Sequence, residues 1–218
     1  MIEAILWDND GVLVDTESLF FAVTSEVLAR AGTPVTRDEF IDHVLRSGRN
    51  LFDRLSARGW SPADIAALRL ERNAHYTELL RRGNPLIAGA AETVRKLAPR
   101  YRMAIVTSSL RAHLEMGHQH SGILGLFDPI VTREEYDKSK PHPEPYLTTL
   151  VRMDLSPAKC VVIEDSERGL ASALAAGLRC LIVPNELTRG SAFIGAAAVL
   201  EAIEAVPDAI EALKGVPL

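Results

Sequence analysis

The sequence predicts an α/β protein in which a doubly wound parallel sheet carries a long helical insertion after its first strand. Near the N-terminus, the apolar run Ala4–Trp7 indicates a buried strand. From about residue 86, short apolar runs alternate with helical patterns, which is typical of a parallel sheet with helices on both faces. Between these parts, residues 15–85 show helical patterns and no convincing strand.

The first strand ends in the segment Asp8-Asn9-Asp10-Gly11. Residues i and i+2 of an extended chain project to the same face, so we expect Asp8 and Asp10 to point in one direction. Two close carboxylates repel each other, and a cation beside them offsets that repulsion. We expect the Asn9 side chain to point away from this face and to form local hydrogen bonds.

The helical insertion begins with a predicted helix over residues 16–30, which has apolar residues at helical spacing. Thr36 opens the next helix, because Glu39 three residues later completes a capping-box pattern. After a break at residues 47–48, two more helices are predicted over residues 49–58 and 62–82.

The sequence pattern changes at Asn84-Pro85, so we divide the chain into a core of residues 1–14 and 86–218 and an inserted unit of residues 15–85. Further strands are predicted over residues 102–107, 129–132, 160–163 and 179–183. Helices are predicted over residues 90–98, 110–120, 143–153 and 167–176, with a last helical region within residues 199–213.

Composition indicates an ordinary globular protein, with 218 residues, 47% of them hydrophobic and 24% charged. The net charge of -5 does not favour binding to nucleic acid or to an anionic membrane. No apolar stretch is long enough to span a bilayer. The first residues lead into a strand rather than a leader peptide, so we expect a cytoplasmic protein. The oligomeric state stays open, and a monomer is compatible with the sequence.

Polar residues follow the predicted strands, at the edge where ligands bind in such sheets. Each group alone has an ordinary structural explanation as a turn, a helix cap or a solvated charge. Their order along successive strands instead predicts one shared site. The groups are Asp8 with Asp10, Thr107-Ser108-Ser109, Lys138 with Lys140, and Glu164-Asp165-Ser166.

These residue types suit a magnesium site. Mg²⁺ prefers oxygen ligands and is held by one or two carboxylates together with water and substrate phosphate. We expect Asp8 and Asp165 to bind the metal, with Glu164 close by and the carbonyl oxygen of Asp10 within reach. The metal would offset the repulsion between a phosphate and an attacking carboxylate.

The same residues predict phosphoryl transfer. Asp8 would accept the phosphoryl group, and Asp10 would protonate the leaving oxygen and later deprotonate water. The Thr107 hydroxyl and the Ser108 backbone N–H would hold phosphoryl oxygens. Lys140 would offset negative charge on the nucleophile and in the transition state.

The motifs resemble those of the haloacid dehalogenase superfamily of phosphotransferases, in the branch that includes β-phosphoglucomutase and phosphoglycolate phosphatase. The resemblance implies a Rossmann-like core, an α-helical cap formed by residues 15–85, Mg²⁺ and an aspartyl-phosphate intermediate. It also implies that the cap supplies substrate selectivity. The similar segments are residues 8–17, Thr107 with Ser108, residues 139–146 around Lys140, and residues 163–177.

We therefore expect an enzyme, a Mg²⁺-dependent phosphatase that hydrolyses a small phosphorylated metabolite such as a sugar phosphate. A sugar-phosphate mutase is the alternative, although Leu110 and Arg111 replace a lysine and an asparagine of β-phosphoglucomutase. A hydrolytic dehalogenase lacks the second aspartate, so Asp10 argues against it. A phospho-acceptor receiver domain needs neither Asp10 nor a helical insertion. A non-catalytic binding module is disfavoured because every expected catalytic residue type is present.

Substrate contacts in the cap are expected at the break between its helices. The candidates there are Arg49 and Asn50, with His43 and Arg46 nearby, and Arg49 suits a second anionic group on the substrate. An exposed arginine at a helix end is the ordinary alternative. His113, His118 and His120 do not share a helix face, so we expect them to be surface residues.

Overall fold

The computed structural model describes residues 1–83 and 86–213. Asn84 and Pro85, where the sequence places the boundary between cap and core, lie outside the described residues. Beside them, Val14 forms a β-bridge with Leu86, and the Ile87 N–H donates to the Leu13 carbonyl at 3.0 Å. The chain therefore enters and leaves the helical unit through adjacent segments. The division at residues 14/15 and 85/86 stays a prediction.

The described residues form a six-stranded sheet in which every strand pair is parallel. The strand order is β3-β2-β1-β4-β5-β6, so the first strand occupies the centre. The α/β fold class is thereby confirmed, while β6, only two residues long, was not predicted. The strands are β1 Ala4–Trp7, β2 Arg102–Val106, β3 Ile130–Val131, β4 Cys160–Glu164, β5 Arg179–Ile182 and β6 Ala198–Val199.

Helices occupy both faces of the sheet and the whole regular part of the insertion. Two predicted helices are shorter than expected: residues 49–58 become Asp53–Ser56, and residues 110–120 become Arg111–Gly117. The former starts late because the Asn50 side chain accepts the Phe52 N–H in a turn. The helices are α1 Glu17–Arg30, α2 Arg37–Phe40, α3 Asp53–Ser56, α4 Pro62–Arg82, α5 Ala90–Leu97, α6 Arg111–Gly117, α7 Glu144–Met153, α8 Glu167–Ala175 and α9 Val206–Leu213.

The core has two apolar layers, because alternate residues of a strand face opposite sides of the sheet. Ile5 and Trp7 of β1 belong to a cluster that includes residues of α5, α6 and α9. Ala4 and Leu6 belong to a second cluster that includes residues of α7 and α8. Each of these four β1 residues is fully buried, so the register of the central strand is fixed from both faces.

The helical cap has its own apolar core, formed mainly by α1, α2, α3 and α4. Thr36 and Glu39 form the predicted capping box at the start of α2. A π-helical turn, Ile41–Arg46, continues α2, and the Ser47 hydroxyl donates to the Asp42 carbonyl at its end. Two core residues, Met116 and Leu187, pack against the cap clusters, so cap and core are in contact. No helix in the described ranges is both long and apolar enough to cross a membrane.

Truncation of Leu28 tests the cap core, since this α1 side chain is 0% exposed among apolar neighbours. Leu28→Ala is expected to lower the free energy of unfolding by about 2–5 kcal/mol, because the transfer and cavity costs add. The matched control is Leu70→Ala in α4, whose side chain is 70% exposed and should change stability by less than about 0.5 kcal/mol. Urea unfolding measures both, and equal effects would contradict the described packing.

Candidate active site

The predicted site residues meet at the carboxyl edge of the sheet. Asp8 directly follows β1, and its N–H donates to the Ile163 carbonyl of β4 at 2.9 Å. Thr107 directly follows β2, and Glu164 is the last residue of β4. Because these three strands are neighbours in the sheet, their ends bring the carboxylates and the hydroxyl to one place.

Lys140 connects all three of these strand ends. Its Nζ lies 2.8 Å from Asp8 Oδ1, 2.7 Å from Glu164 Oε1 and 2.8 Å from the Val106 carbonyl oxygen. The residue is only 3% exposed. Burial alone lowers the pKa of Lys140, but the two carboxylates more than offset this and raise it above its usual value. The lysine is therefore a buried ammonium group.

Asp8 and Asp10 occupy different environments. Burial, followed by repulsion from Glu164, raises the pKa of Asp8 to about 7 in the metal-free protein, against the attraction of Lys140. The half-exposed Asp10 instead accepts hydrogen bonds from three hydroxyl groups. Its Oδ1 lies 2.5 Å from Thr16 Oγ1, and its Oδ2 lies 2.9 Å from Thr107 Oγ1 and 2.8 Å from Ser109 Oγ.

Three carboxylates form an acidic cluster that fits a metal ion. Asp8, Glu164 and Asp165 each offer an oxygen, and these oxygens lie within 4.8 Å of one another. Asp165 Oδ1 is buried and has no hydrogen-bond partner in the described part of the chain, so it is available to a cation. Burial and neighbouring carboxylates raise the pKa of Asp165 well above its usual value. The donor set suits a hard divalent cation.

The Asp10 carboxylate does not belong to this cluster, and the sequence predicted only its carbonyl oxygen as a ligand. The other predicted groups have different surroundings. The Thr107 hydroxyl, expected to hold phosphate, donates to Asp10 here, while Ser108 Oγ is buried without a partner among the described residues. Lys138 is exposed, and its backbone N–H donates to Glu144 Oε2 at 3.0 Å.

Glu164 has supports that the sequence analysis missed. Besides Lys140, the Tyr146 hydroxyl donates to its Oε1 at 2.8 Å. The Ser166 hydroxyl donates to Oε2 at 3.2 Å. At Gly169 an added Cβ would come within 2.0 Å of this carboxylate, so only glycine fits there. Nothing in the spacing of Tyr146 identified this contact, because it depends on how α7 packs on the sheet.

A second missed group supports Asp165. Asn185 Nδ2 lies 2.7 Å from Asp165 Oδ2 and 2.7 Å from Glu17 Oε2, so one amide connects the acidic cluster to the first residue of α1. Burial raises the pKa of Glu17 to about 7, although the charge of Arg168 opposes this. Gly11 has φ +85°, and a Cβ there would lie 2.5 Å from the Asn185 amide. Asn185 lies two residues after the end of the predicted fifth strand. This position at a strand end could have identified it as a site residue from the sequence.

The predicted cap residues follow a glycine that touches the loop carrying Lys140. A Cβ added at Gly48 would approach the Lys140 carbonyl oxygen to 2.8 Å, so this part of the cap touches the site loop. Arg49 beside it is exposed, and its Nε lies 3.2 Å from Ser47 Oγ. The Asn50 carboxamide accepts the Phe52 N–H. Arg46 reaches the core, with its Nε 3.2 Å from Glu167 Oε2.

The expectation of three surface histidines was wrong for two of them. His113 is half-buried, and its Nε2 lies 3.0 Å from Thr77 Oγ1 of the cap. His118 is 4% exposed, and its Nε2 lies 2.8 Å from Asn9 Oδ1. Asn9 was expected to bond locally, but this partner is 109 residues away in the chain. Both errors arise from the packing of α6 against the rest of the molecule.

Arg72 of the cap also went unnoticed in the sequence. Its guanidinium carbon lies 4.2 Å from the centre of the Phe20 ring. Its hydrogen bonds go to uncharged groups, Asn73 Oδ1 at 2.9 Å and Thr24 Oγ1 at 3.4 Å. Burial lowers its pKa to about 10. Burial and the charge of Arg72 lower the pKa of His113, whereas the charge of Asp10 opposes this.

Comparison with known proteins identifies the family of the chain. The sequence pattern of the haloacid dehalogenase-like hydrolases matches residues 5–183. The chain belongs to this family. Relatives of the chain in this family include proteins named as phosphatases, and the chain is a phosphatase-type enzyme.

Two relatives of this haloacid dehalogenase-like hydrolase align over nearly the whole chain. Protein CbbY of Rhodobacter capsulatus is 33% identical over 208 residues, covering 89% of this chain and 91% of that protein. A phosphorylated carbohydrates phosphatase of Thermotoga maritima is 32% identical over 203 residues, covering 91% and 93%. The crystal structure of CbbY from Rhodobacter sphaeroides with phosphate has a TM-score of 0.80 at 28% identity, covering 94% of this chain and 96% of that chain.

The buried carboxylates predict how stability depends on pH without metal. Asp8 and Glu17 have folded pKa values of about 7, against roughly 4 in an unfolded chain. The folded protein then binds more protons between these values, so its free energy of unfolding falls as pH rises from about 5 to about 7.5. Asp165→Asn removes one of the repelling carboxylates, so its gain in stability over the parent should grow with pH.

Urea unfolding in EDTA at several pH values measures this gain. It should exceed about 1 kcal/mol at pH 7.5 and shrink towards pH 5. Glu115→Gln, which removes an exposed carboxylate of α6, is the matched control and should show no such trend. A gain for Asp165→Asn that is independent of pH would contradict the repulsion described above.

Proposed function

We propose that the protein is a Mg²⁺-dependent phosphatase that hydrolyses a small phosphomonoester, such as a sugar phosphate, through an aspartyl phosphate on Asp8. The observation that carries the proposal is that two neighbouring carboxylates have different surroundings. Asp8 is buried against Lys140 and the acidic cluster, whereas Asp10 is held apart by three hydroxyl groups. Such a division suits one nucleophile and one proton carrier.

The residues that would hold Mg²⁺ are Asp8, Glu164 and Asp165, together with the carbonyl oxygen of Asp10. When bound, the metal supplies positive charge that offsets the repulsion between the substrate phosphate and the Asp8 carboxylate. The orphaned Asp165 Oδ1 supports this assignment, because a buried carboxylate oxygen without a donor is costly unless a cation binds it.

In the first step the Asp8 carboxylate attacks phosphorus, and the bond to the leaving alkoxide breaks. Asp10, protonated, gives its proton to that oxygen, so the product leaves as a neutral alcohol. In the second step Asp10, now a carboxylate, takes a proton from water. The water oxygen attacks phosphorus, and the bond to Asp8 breaks, releasing inorganic phosphate and restoring both aspartates.

The Thr107 hydroxyl links the protonation state of Asp10 to the binding of the substrate phosphate. It has one hydrogen, which it donates to the Asp10 carboxylate in this structure. A protonated Asp10 can instead donate to the Thr107 oxygen, which frees the Thr107 hydrogen for a phosphoryl oxygen. The Ser108 backbone N–H is the second proposed phosphate donor. Lys140 stabilises negative charge as the phosphoryl group reaches Asp8.

The proposed substrate class follows from the cap and from the relatives. The Arg72 guanidinium lies among aromatic rings without an anionic partner in its hydrogen bonds, so an anionic or strongly polar group of the substrate suits it. Arg49 and Asn50, which directly follow Gly48, are further proposed contacts. One relative is named for phosphorylated carbohydrates, and a CbbY crystal holds xylulose-1,5-bisphosphate.

A panel of phosphorylated metabolites tests the activity. We expect release of inorganic phosphate with Mg²⁺, and its loss in EDTA with recovery when Mg²⁺ is restored. Asp8→Asn should abolish turnover, because the carboxamide is a far weaker nucleophile. Asp38→Asn, at an exposed aspartate of the cap, is the control and should keep full activity. Substantial activity of Asp8→Asn would rule out the nucleophile, and transfer to a sugar rather than to water would indicate a mutase.

Substitution of Asp10 tests the proton carrier. Asp10→Asn should lower kcat for alkyl phosphates by roughly 10²–10⁴-fold, since their leaving oxygens need a proton. With 4-nitrophenyl phosphate, whose leaving group needs none, the first equivalent of nitrophenol should still appear as a burst. Turnover after the burst should be slow, because no base activates water. Rapid-quench kinetics separates the two phases, and an equal loss of both would contradict the acid role.

A further inference from the structure

Asn9 forms the centre of the turn that carries both aspartates. It stands between Asp8 and Asp10 and is 1% exposed. Its carbonyl oxygen accepts the backbone N–H groups of Val12, Leu13 and Val14 at 3.3, 2.8 and 3.1 Å. Any rotation of Asn9 therefore changes the direction in which the next residue, Asp10, presents its carboxylate.

His118 holds the Asn9 side chain. Asn9 Oδ1 is an acceptor, so His118 Nε2 at 2.8 Å carries the ring proton and donates it. The other ring nitrogen, Nδ1, lies 3.0 Å from Ser121 Oγ. Burial lowers the pKa of His118 to about 4, so the imidazole is neutral at physiological pH.

Helix α6 connects this contact to the site. The segment before α6 supplies Thr107 and Ser109, whose hydroxyls donate to the Asp10 carboxylate. The residue directly after α6 is His118, which donates to Asn9. The residues on both sides of this short helix thus form hydrogen bonds to the same turn. Those before the helix bond to the Asp10 carboxylate, and His118 after it bonds to the Asn9 side chain.

We propose that His118 is a positioning residue for Asp10 and acts through its hydrogen bond to Asn9. The proposal rests on the proposed function, in which Asp10 carries the proton. An apolar contact fills space without a preferred direction, whereas a hydrogen bond fixes the orientation of both partners.

A purely structural role is the competing explanation. A buried amide left unpaired destabilises the fold, whereas replacing both partners by apolar groups can be nearly neutral. Stability alone therefore does not distinguish the two roles. The distinguishing quantity is the leaving-group ratio, defined as the rate constant of the first, phosphoryl-transfer step for 4-nitrophenyl phosphate divided by that for an alkyl phosphate, both measured by rapid quench. This ratio rises only when proton donation by Asp10 is impaired.

The test compares His118→Leu and Asn9→Leu with His118→Gln, whose amide nitrogen can replace Nε2 as the donor. In the two leucine variants, kcat for the alkyl phosphate should fall roughly ten- to hundredfold, with KM within about threefold of wild type. The leaving-group ratio should rise about tenfold or more. His118→Gln should keep a ratio close to that of the wild type. The double leucine variant should be no worse than either single one, because both remove the same bond.

Leu114→Ala is the matched control, since it removes a buried side chain of α6 that belongs to the apolar core. It should lower thermal stability and leave the leaving-group ratio unchanged. If the leucine variants also keep the wild-type ratio, the positioning role is overturned. If His118→Gln changes the leaving-group ratio as much as His118→Leu does, the role of the hydrogen bond is overturned. Lack of Mg²⁺-dependent hydrolysis by the wild type would instead refute the proposed function, and the two failures are thus distinguishable.

Discussion

The ammonium group of Lys140 is the interaction on which the site depends. Moving two carboxylates and an ammonium out of water is costly, and their attraction repays this only when the geometry is good. Asp8 ends one strand, Glu164 ends its neighbour, and Lys140 reaches both at 2.8 and 2.7 Å. The register of β1 against β4 therefore determines whether the charges meet. Packing of β1 on both faces fixes that register, so the apolar core indirectly sets the electrostatics.

The surroundings of the two aspartates follow from the same strand. The Asp8 N–H still bonds to β4, and burial beside other carboxylates raises the pKa of this residue. Two residues later the chain has already turned, and Asp10 meets hydroxyl groups from the end of β2 and the start of the cap. The extended-chain pattern places both aspartates on one face, yet the turn that begins at Asn9 gives them different neighbours. That difference, rather than their proximity, supports separate chemical roles.

Sequence patterns predicted the fold class, five of the six strands and the gathering of Asp8, Thr107 and Glu164 at one edge, because these depend on local periodicity and on strand ends. The sixth strand is only two residues long and has no periodicity to detect. Partners such as Tyr146, Asn185 and His118 depend on how helices and loops pack across the sheet, which local patterns do not encode. The roles given to the site residues and the domain limits stay predictions.

The position of the cap and the ion pairs of the site are physically coupled. Gly48 of the cap lies against the Lys140 carbonyl, so the loop that carries the ammonium is in direct contact with the break between cap helices. Arg46 pairs with Glu167, two residues after Asp165. A movement of the cap therefore acts on two loops that hold the buried charges. A substrate that binds Arg49 or Arg72 would become positioned itself and would also change the free energy of this arrangement of cap and buried charges. Substrate selection is thereby connected to catalysis.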